Sequence, residues 1–392
     1  MTSRYAFSNR IGTSLETNAL ARALARARDA GVEPLNMAES NPTRCGLSPG
    51  GVLEALSNPA SLSYEPDPRG LASTRRALAA RIGCGPDDLF LSAGTSEAYS
   101  WLFKLLCDPG DAILVPRPGY PLFEYLAGLE SVRSVPYRLE YDHGSGWHID
   151  MDELRAAALT SGARAIVVIH PNNPTGSYVS AAERGELVGF CADAGLSIVS
   201  DEVFLPYRLD EADARTLGGE TRCPVYVLDG LSKLLCLPQL KLGWIRLSGP
   251  AGTVAEAGAR LEIIADTFLS VGAPVMHALP ALLPKADAFV AAVRERLLVN
   301  LDRSREVFGG TDSPFRVRRC GGGWAAILEY PRILPEEELV LSLLREEGVF
   351  AHPGHFYDFE REGFLALSLL LEPPRFSDGA EAILRFFRRY LG

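Results

Sequence analysis

Apolar positions along the chain fall into two textures. From about residue 88 to 247, short β-rich runs alternate with helical stretches. The runs Leu89–Ser92, Ala112–Val115, Ala165–Ile169, Leu196–Ser200, Val225–Leu228 and Gly243–Leu247 are predicted strands. Several are apolar on both faces, the mark of a parallel sheet covered on both sides. Between them, Ser96–Leu106 and Ala181–Ala194 carry the helical period. Strand and helix in alternation predict an α/β domain. Beyond roughly residue 270 long amphipathic helices are predicted at Ala286–Phe308, Pro335–Glu347 and Ser377–Leu391, with short strands Trp324–Leu328 and Phe364–Leu369 between them. In the last helix Ile383, Leu384, Phe386, Phe387 and Leu391 keep to one side, largely opposite Arg385, Arg388 and Arg389. This reads as a second, smaller α/β unit, on which the helical pattern Thr17–Ala30 is expected to pack.

At 392 residues the chain is long enough for a large domain with a satellite. Its formal charge of −10, with no long basic stretch, makes it a poor partner for nucleic acid. No run approaches the apolar length of a membrane span, and the first ten residues lack a signal-peptide core, so a cytoplasmic enzyme is expected. The cysteines Cys45, Cys84, Cys107, Cys191, Cys223, Cys236 and Cys320 are odd in number and never form a CxxC pair. That argues for reduced packing residues, against a disulfide framework, and for no metal site. Of 39 basic residues only Lys104, Lys233, Lys241 and Lys285 are Lys. Arg stays protonated and cannot form imines or shuttle protons near neutrality, so each Lys invites a reason.

Five segments carry chemistry. Ser92-Ala-Gly-Thr-Ser-Glu97 follows a strand and opens a helix, so N–H groups after Gly94 make an anion seat, or a plain N-cap. Pro116-Arg-Pro-Gly-Tyr-Pro121 locks an aromatic at a strand end, where it stacks on a flat ligand or simply turns the chain. His170-Pro-Asn-Asn-Pro-Thr-Gly176 is a rigid loop that aims amide donors beyond a strand end, where open α/β sheets bind ligands. Asp201, in Ser200-Asp201-Glu202, is a carboxylate at a buried strand end, costly without a cation unless it merely caps a helix. Lys233 closes Leu228-Asp-Gly-Leu-Ser-Lys233 and precedes Leu-Leu-Cys-Leu-Pro, dry surroundings that make an amine nucleophilic. A snorkelling Lys is the weaker reading, because this surface is made of Arg. An anion seat, a stacker, an amide donor, a carboxylate and an imine-forming Lys are the parts that hold pyridoxal 5′-phosphate.

From about Leu35 to the C-terminus the chain resembles a fold-type I pyridoxal-phosphate enzyme of the class I/II aminotransferase family. The Asn-Asn-Pro-Thr-Gly loop, the Ser-Asp-Glu strand end and the Ser-Lys motif stand in that family's order. The resemblance implies a three-layer large domain with a mostly parallel sheet (residues 45–268) and a smaller α/β domain built from both termini (1–44 plus 269–392). It implies pyridoxal 5′-phosphate as cofactor, in Schiff-base linkage to Lys233, with Asp201 on the ring nitrogen. Asn173 would donate to O3′, Tyr120 would stack on the ring, and Gly94, Thr95, Ser96 and Ser232 would seat the phosphate, with Lys241 nearby. Tyr64, in Tyr64-Glu-Pro-Asp-Pro-Arg-Gly70, would reach the phosphate of a neighbouring subunit, implying a homodimer with shared active sites. The implied reaction moves an amino group between an amino acid or amine and a keto acid. A lyase, decarboxylase or cyclase on the same cofactor is the alternative; a non-catalytic sensor and a dinucleotide dehydrogenase fit less well.

Four positions depart from the family pattern. Gly230 replaces the first Ser of Ser-x-Ser-Lys, and Lys241 replaces an Arg that would grip phosphate with a planar fork. Phe204 replaces a Tyr that shares O3′, which should raise the pKa of the lysine imine; Tyr207 is close in sequence. Ala366 stands where an Arg clamps the substrate carboxylate, leaving Arg44, Arg69 and the segment His352–Tyr357 as other candidates.

Overall fold

The computed structural model describes residues 7–11, 16–310 and 312–391. Its largest sheet has eight strands in the order Leu89–Ser92, Gly243–Ser248, Val225–Gly230, Ser197–Asp201, Ala163–Ile169, Ala112–Arg117, Arg133–Asp142 and Gly146–Ile149. The run from Val225–Gly230 to Arg133–Asp142 is parallel. Gly243–Ser248 is antiparallel to both neighbours, and Gly146–Ile149 closes the far edge as a hairpin.

The predicted two-sided burial is what makes three layers. On one face Ile113, Val167, Val199 and Ile245 pack with Tyr99, Leu102 and Phe103 of the helix Thr95–Leu106 and Leu261 of Ala251–Phe268. On the other, Leu114, Ile166, Val168 and Ile198 pack with Leu154 of Met151–Ser161 and Leu187 of Ala181–Ala194. Neighbouring residues of one strand feed opposite layers, as the period of two requires.

The strand predicted at Leu196–Ser200 sits one residue later, at Ser197–Asp201, with Asp201 opposite Ile169 and Leu228. The hairpin from Arg133 to Ile149 was not predicted. Its first strand carries Arg133, Arg138, Glu140 and Asp142 at a partly exposed edge, so it lacks the apolar run of its neighbours.

A second sheet of four antiparallel strands follows the order Arg316–Val317, Ala325–Glu329, Phe364–Ser368 and His352–Pro353. Leu35–Asn36 runs parallel to Val349–Phe350 and ties the start of the chain to its last third. The helices Ala286–Phe308 and Pro373–Leu391 pack beside it, the latter starting four residues before its predicted Ser377. Leu297, Leu301, Phe386 and Phe387 share one core with Leu20 and Met37.

Candidate active site

The parallel strands Ala163–Ile169, Ser197–Asp201 and Val225–Gly230 end on one edge, and the segments leaving them converge on a cavity of about 360 Å³. Gly94, Thr95, Ser96, Tyr120, Asn173, Asp201, Ser232 and Lys233, all singled out from the sequence, line it. Strand-end loops at such an edge are where an open α/β sheet leaves room for a ligand.

Lys233 sits in the four-residue helix Leu231–Leu234 directly after its strand. Its Nζ lies 4.7 Å from the Trp324 ring centre and 5.3 Å from that of Phe204. Desolvation lowers its pKa, against smaller upward pulls from Cys236 and Asp201. Burial away from water therefore disfavours its charged form, against the pull of the two ring faces. Leu234, Leu235 and Leu237 are buried behind it, as the apolar sequence around the motif requires.

Asp201 is buried at the strand end. Burial pushes its pKa from 3.8 up to about 6, opposed by hydrogen bonds and the nearby Lys233. The Tyr99 hydroxyl donates to its Oδ2 at 3.0 Å and the Val203 N–H to its Oδ1 at 3.2 Å. Tyr99 itself is buried, and desolvation drives its pKa well up, so it stays a donor. The carboxylate is positioned but not neutralised, which leaves it suited to a cationic ligand atom.

Gly94 turns with φ of +128° and opens the twelve-residue helix Thr95–Leu106. The first N–H groups of a helix lack intrahelical acceptors, so those of Thr95 and Ser96 are anion donors. The strand carrying Gly243 presses on this turn: a methyl group there would lie 2.9 Å from Gly94 Cα. Lys241 is exposed in a left-handed conformation, φ +52°, and its Nζ lies 3.5 Å from where a Gly94 Cβ would be. It therefore flanks the anion seat without lining the cavity.

Tyr120 is half-buried, edge-on to Phe123, and burial raises its pKa. The Asn pair divides its work. Asn172 is buried and its amide donates to Pro118 O at 3.0 Å and Thr175 Oγ1 at 2.9 Å, holding the loop, while Asn173 reaches the cavity.

The rest of the lining has a different character: beyond the Phe204 and Trp324 rings that face Lys233 it is Ala325, Ala366, Leu370, His352 and Tyr357, with Ala38, Glu39, Ser40 and Ser368. Ala366 is buried opposite both Ile327 and His352 in the small sheet. His352 Nδ1 lies 3.1 Å from Tyr357 Oη, and burial lowers the His352 pKa to about 4. Ser368 Oγ donates to Glu39 O at 2.5 Å, joining two walls that lie far apart in sequence.

Several sequence candidates lie elsewhere. Tyr207 donates its hydroxyl to Lys233 O at 2.7 Å, so it supports the lysine backbone and does not replace the phenol missing at Phe204. Arg69 is engaged with Glu262 at 2.9 Å and covers the Phe90 ring. Arg44 is mostly exposed, 3.6 Å from Glu39. Tyr64 is 73 % exposed and lines no part of the cavity. Lys104 pairs with Glu130, and Lys285 reaches Gly50 O. Sequence reasoning missed Tyr99 and Trp324. Tyr99 follows the anion turn by five residues, and Trp324 follows Gly321-Gly-Gly323, a run of glycines that marks close backbone approach.

The family described as aminotransferase class I and II matches residues 49–374. Alanine aminotransferase of Mycobacterium tuberculosis is 28 % identical over 353 residues, 85 % of this chain and 79 % of its own. Glutamate-pyruvate aminotransferase of Escherichia coli K12 is 26 % identical over 384 residues, covering 93 % and 92 %. The crystal structure of an Escherichia coli aminotransferase superposes with a TM-score of 0.87 over 99 % of both chains at 24 % identity. Alanine aminotransferase from Pyrococcus furiosus gives 0.88 over 98 % and 100 % at 22 %.

Proposed function

The chain belongs to the class I and II aminotransferases, and from that premise we propose the residues that carry its chemistry. It is a pyridoxal-phosphate-dependent enzyme that transfers amino groups. The cavity fits that cofactor on three observations: a desolvated amine at Lys233, a buried carboxylate at Asp201 that lacks a bonded cation, and a glycine turn with helix N–H groups at Gly94. Bound there, the cofactor supplies a carbonyl that captures amines and a ring that draws electrons from the captured carbon.

Each role follows from local chemistry. Lys233 Nζ, whose charged form desolvation disfavours, would be the amine that holds the cofactor's carbonyl carbon, and when free it would carry the proton that leaves the substrate carbon. Asp201, held by Tyr99, would pair with the ring nitrogen and keep it protonated. Thr95, Ser96, Ser232 and Lys241 would hold the phosphate, Tyr120 the ring face and Asn173 the ring oxygen. Tyr357 and Trp324 exclude water from the reacting end. The observation that carries this assignment is the desolvated Lys233 amine in the same cavity as Asp201. Borohydride treatment of the yellow holoenzyme should fix the cofactor on the peptide containing Lys233; a fixed cofactor on any other peptide refutes the assignment.

The donor is an amino acid or amine and the acceptor a keto acid. The named relatives act on alanine or on glutamate and pyruvate. The chain is read as two units, residues 45–268 around the large sheet and 1–44 plus 269–392 around the small one, supported by sheets that share no strand. A homodimer is the reading carried by the family pattern at Tyr64, whose side chain is exposed and lines no part of its own chain's cavity. Light scattering at twice the 42.4 kDa chain mass is the expected result. A reducing, cytoplasmic setting suits seven free thiols, five of them buried; no helix among the described residues is long and apolar enough to cross a membrane.

A further inference from the structure

We propose that the amino compound this site prefers carries no free carboxylate on its amino-bearing carbon: a primary amine with an apolar group, not an α-amino acid. The inference rests on the amino-transfer reading and adds the substrate class.

The charges at the reacting end carry it. Among the described residues no arginine lines the cavity, and Lys233 is its one lysine. Desolvation disfavours the charged form of Lys233, whose amine would be committed to the cofactor when that is bound. His352 is held neutral by burial at ordinary pH and shares its Nδ1 with the Tyr357 hydroxyl. Ser368 Oγ is spent on Glu39 O. Arg44 stands outside the lining, exposed and beside Glu39.

The acid side is better supplied. Asp201 and Glu39 both belong to the lining, and Glu39 is already satisfied by the Asn41 N–H at 2.9 Å. A carboxylate placed beside Ala366 would lose its water and meet aromatic rings, a methyl group, a neutral imidazole and the uncharged donors Trp324 Nε1 and Tyr357 Oη, but no cation. An anion so buried is strongly disfavoured without a partner. An apolar substituent loses nothing there and gains contact with Trp324, Phe204, Tyr357 and Leu370. A carboxylate is normally met by a bidentate guanidinium, and the side chain buried at that place is Ala366.

Matched pairs test this on the holoenzyme: L-phenylalanine against phenethylamine, and L-leucine against 3-methylbutylamine. The readout is single-turnover conversion of the bound cofactor to its amine form, followed by absorbance. The expected result is a kcat/KM roughly tenfold or more higher for the amine of each pair. An amino acid as fast as its amine, in either pair, overturns the inference. This is also the result if a partner subunit brings a cation to the site. Ala366→Arg should narrow or reverse the ratio while the holoenzyme spectrum is kept; an unchanged ratio in that variant removes Ala366 as the determinant. The wild-type ratio decides the substrate class even if the variant does not fold. If none of the four converts a fully loaded enzyme while L-alanine or L-glutamate does, this inference fails and the amino-transfer reading stands; if none of the six converts it, the amino-transfer reading fails.

Discussion

At the Lys233 end of the cavity the walls come from segments leaving strands of one sheet. At the Ala366 side they come from residues 38–40 and 324–325, His352, Tyr357 and residues 366–370, gathered by the small sheet and the Ser368–Glu39 hydrogen bond. The first holds an amine, a carboxylate and helix N–H groups within a glycine-tight frame; the second holds a methyl group, a neutral imidazole and the Tyr357 ring, and its Trp324 ring reaches across to Lys233. The difference separates two demands. Holding one constant cofactor needs fixed charges at fixed strand ends, where packing is least negotiable. Admitting a particular substrate needs a surface whose side chains are free to vary without disturbing the sheet.

Four measurements break or sharpen that contrast. Lys233→Ala should lower amino transfer by roughly 10³-fold or more and abolish the visible absorbance of the holoenzyme. An unchanged spectrum would mean that the reactive end is misplaced.

Asp201→Asn should lower kcat by about 10²-fold. It should also stabilise the cofactor-free protein. The fold raises the pKa of this acid from 3.8 to about 6, so the folded state holds the proton more tightly than the unfolded chain. Stability from this group therefore falls as pH rises through that window and stays reduced above it. Removing the acid should raise cofactor-free stability at pH 7 by about 2–3 kcal/mol, with no gain at pH 3. Thermal melts at both pH values decide it; equal melting at pH 7 would mean Asp201 carries no burial penalty.

Lys241→Ala should weaken cofactor binding by about tenfold, measured by dialysis and absorbance. Lys104→Ala and Lys285→Ala should not, because one pairs with Glu130 and the other with Gly50 O. Equal retention in all three takes Lys241 out of the phosphate seat. The smallest effect belongs to the border between the two ends. Phe204→Tyr should lower the pH midpoint of the holoenzyme's visible absorbance by about one unit. Tyr207→Phe should leave it in place, since that hydroxyl is spent on Lys233 O.

The sequence made the cofactor end legible because its residues sit where hydrophobic runs stop. Asp201, Asn173 and Lys233 each follow a buried strand or end it, and a polar residue at such a place needs a reason. The helices Ala181–Ala194 and Ala286–Phe308 were legible to the residue, because cap and period agreed. The hairpin was not, since Arg133–Asp142 carries charges at its exposed positions and lacks the apolar signal. Tyr99 was hidden because its helix turns it toward Asp201, and a hydrogen bond spanning 102 positions leaves no local mark. Trp324 stayed unassigned for the same reason, whereas His352 and Tyr357, named from the sequence as part of one candidate segment, do line the cavity. Ala366 was visible as a departure, but that it lines the cavity depended on the register opposite Ile327 and His352.

The Ser368–Glu39 hydrogen bond has a consequence for the order in which a ribosome makes this chain. The strands that frame the cofactor end are all synthesised by Ser248, whereas the walls from Trp324 to Leu370 emerge afterwards. At 5–20 residues per second that gap of about 120 residues lasts roughly 6–24 s. During it the nascent chain has its reactive lysine but no lid of aromatic rings, and Glu39 waits near the N-terminus for a partner not yet translated. The cofactor's seat is thus the older surface of every newborn molecule, and substrate selection is the last property it acquires.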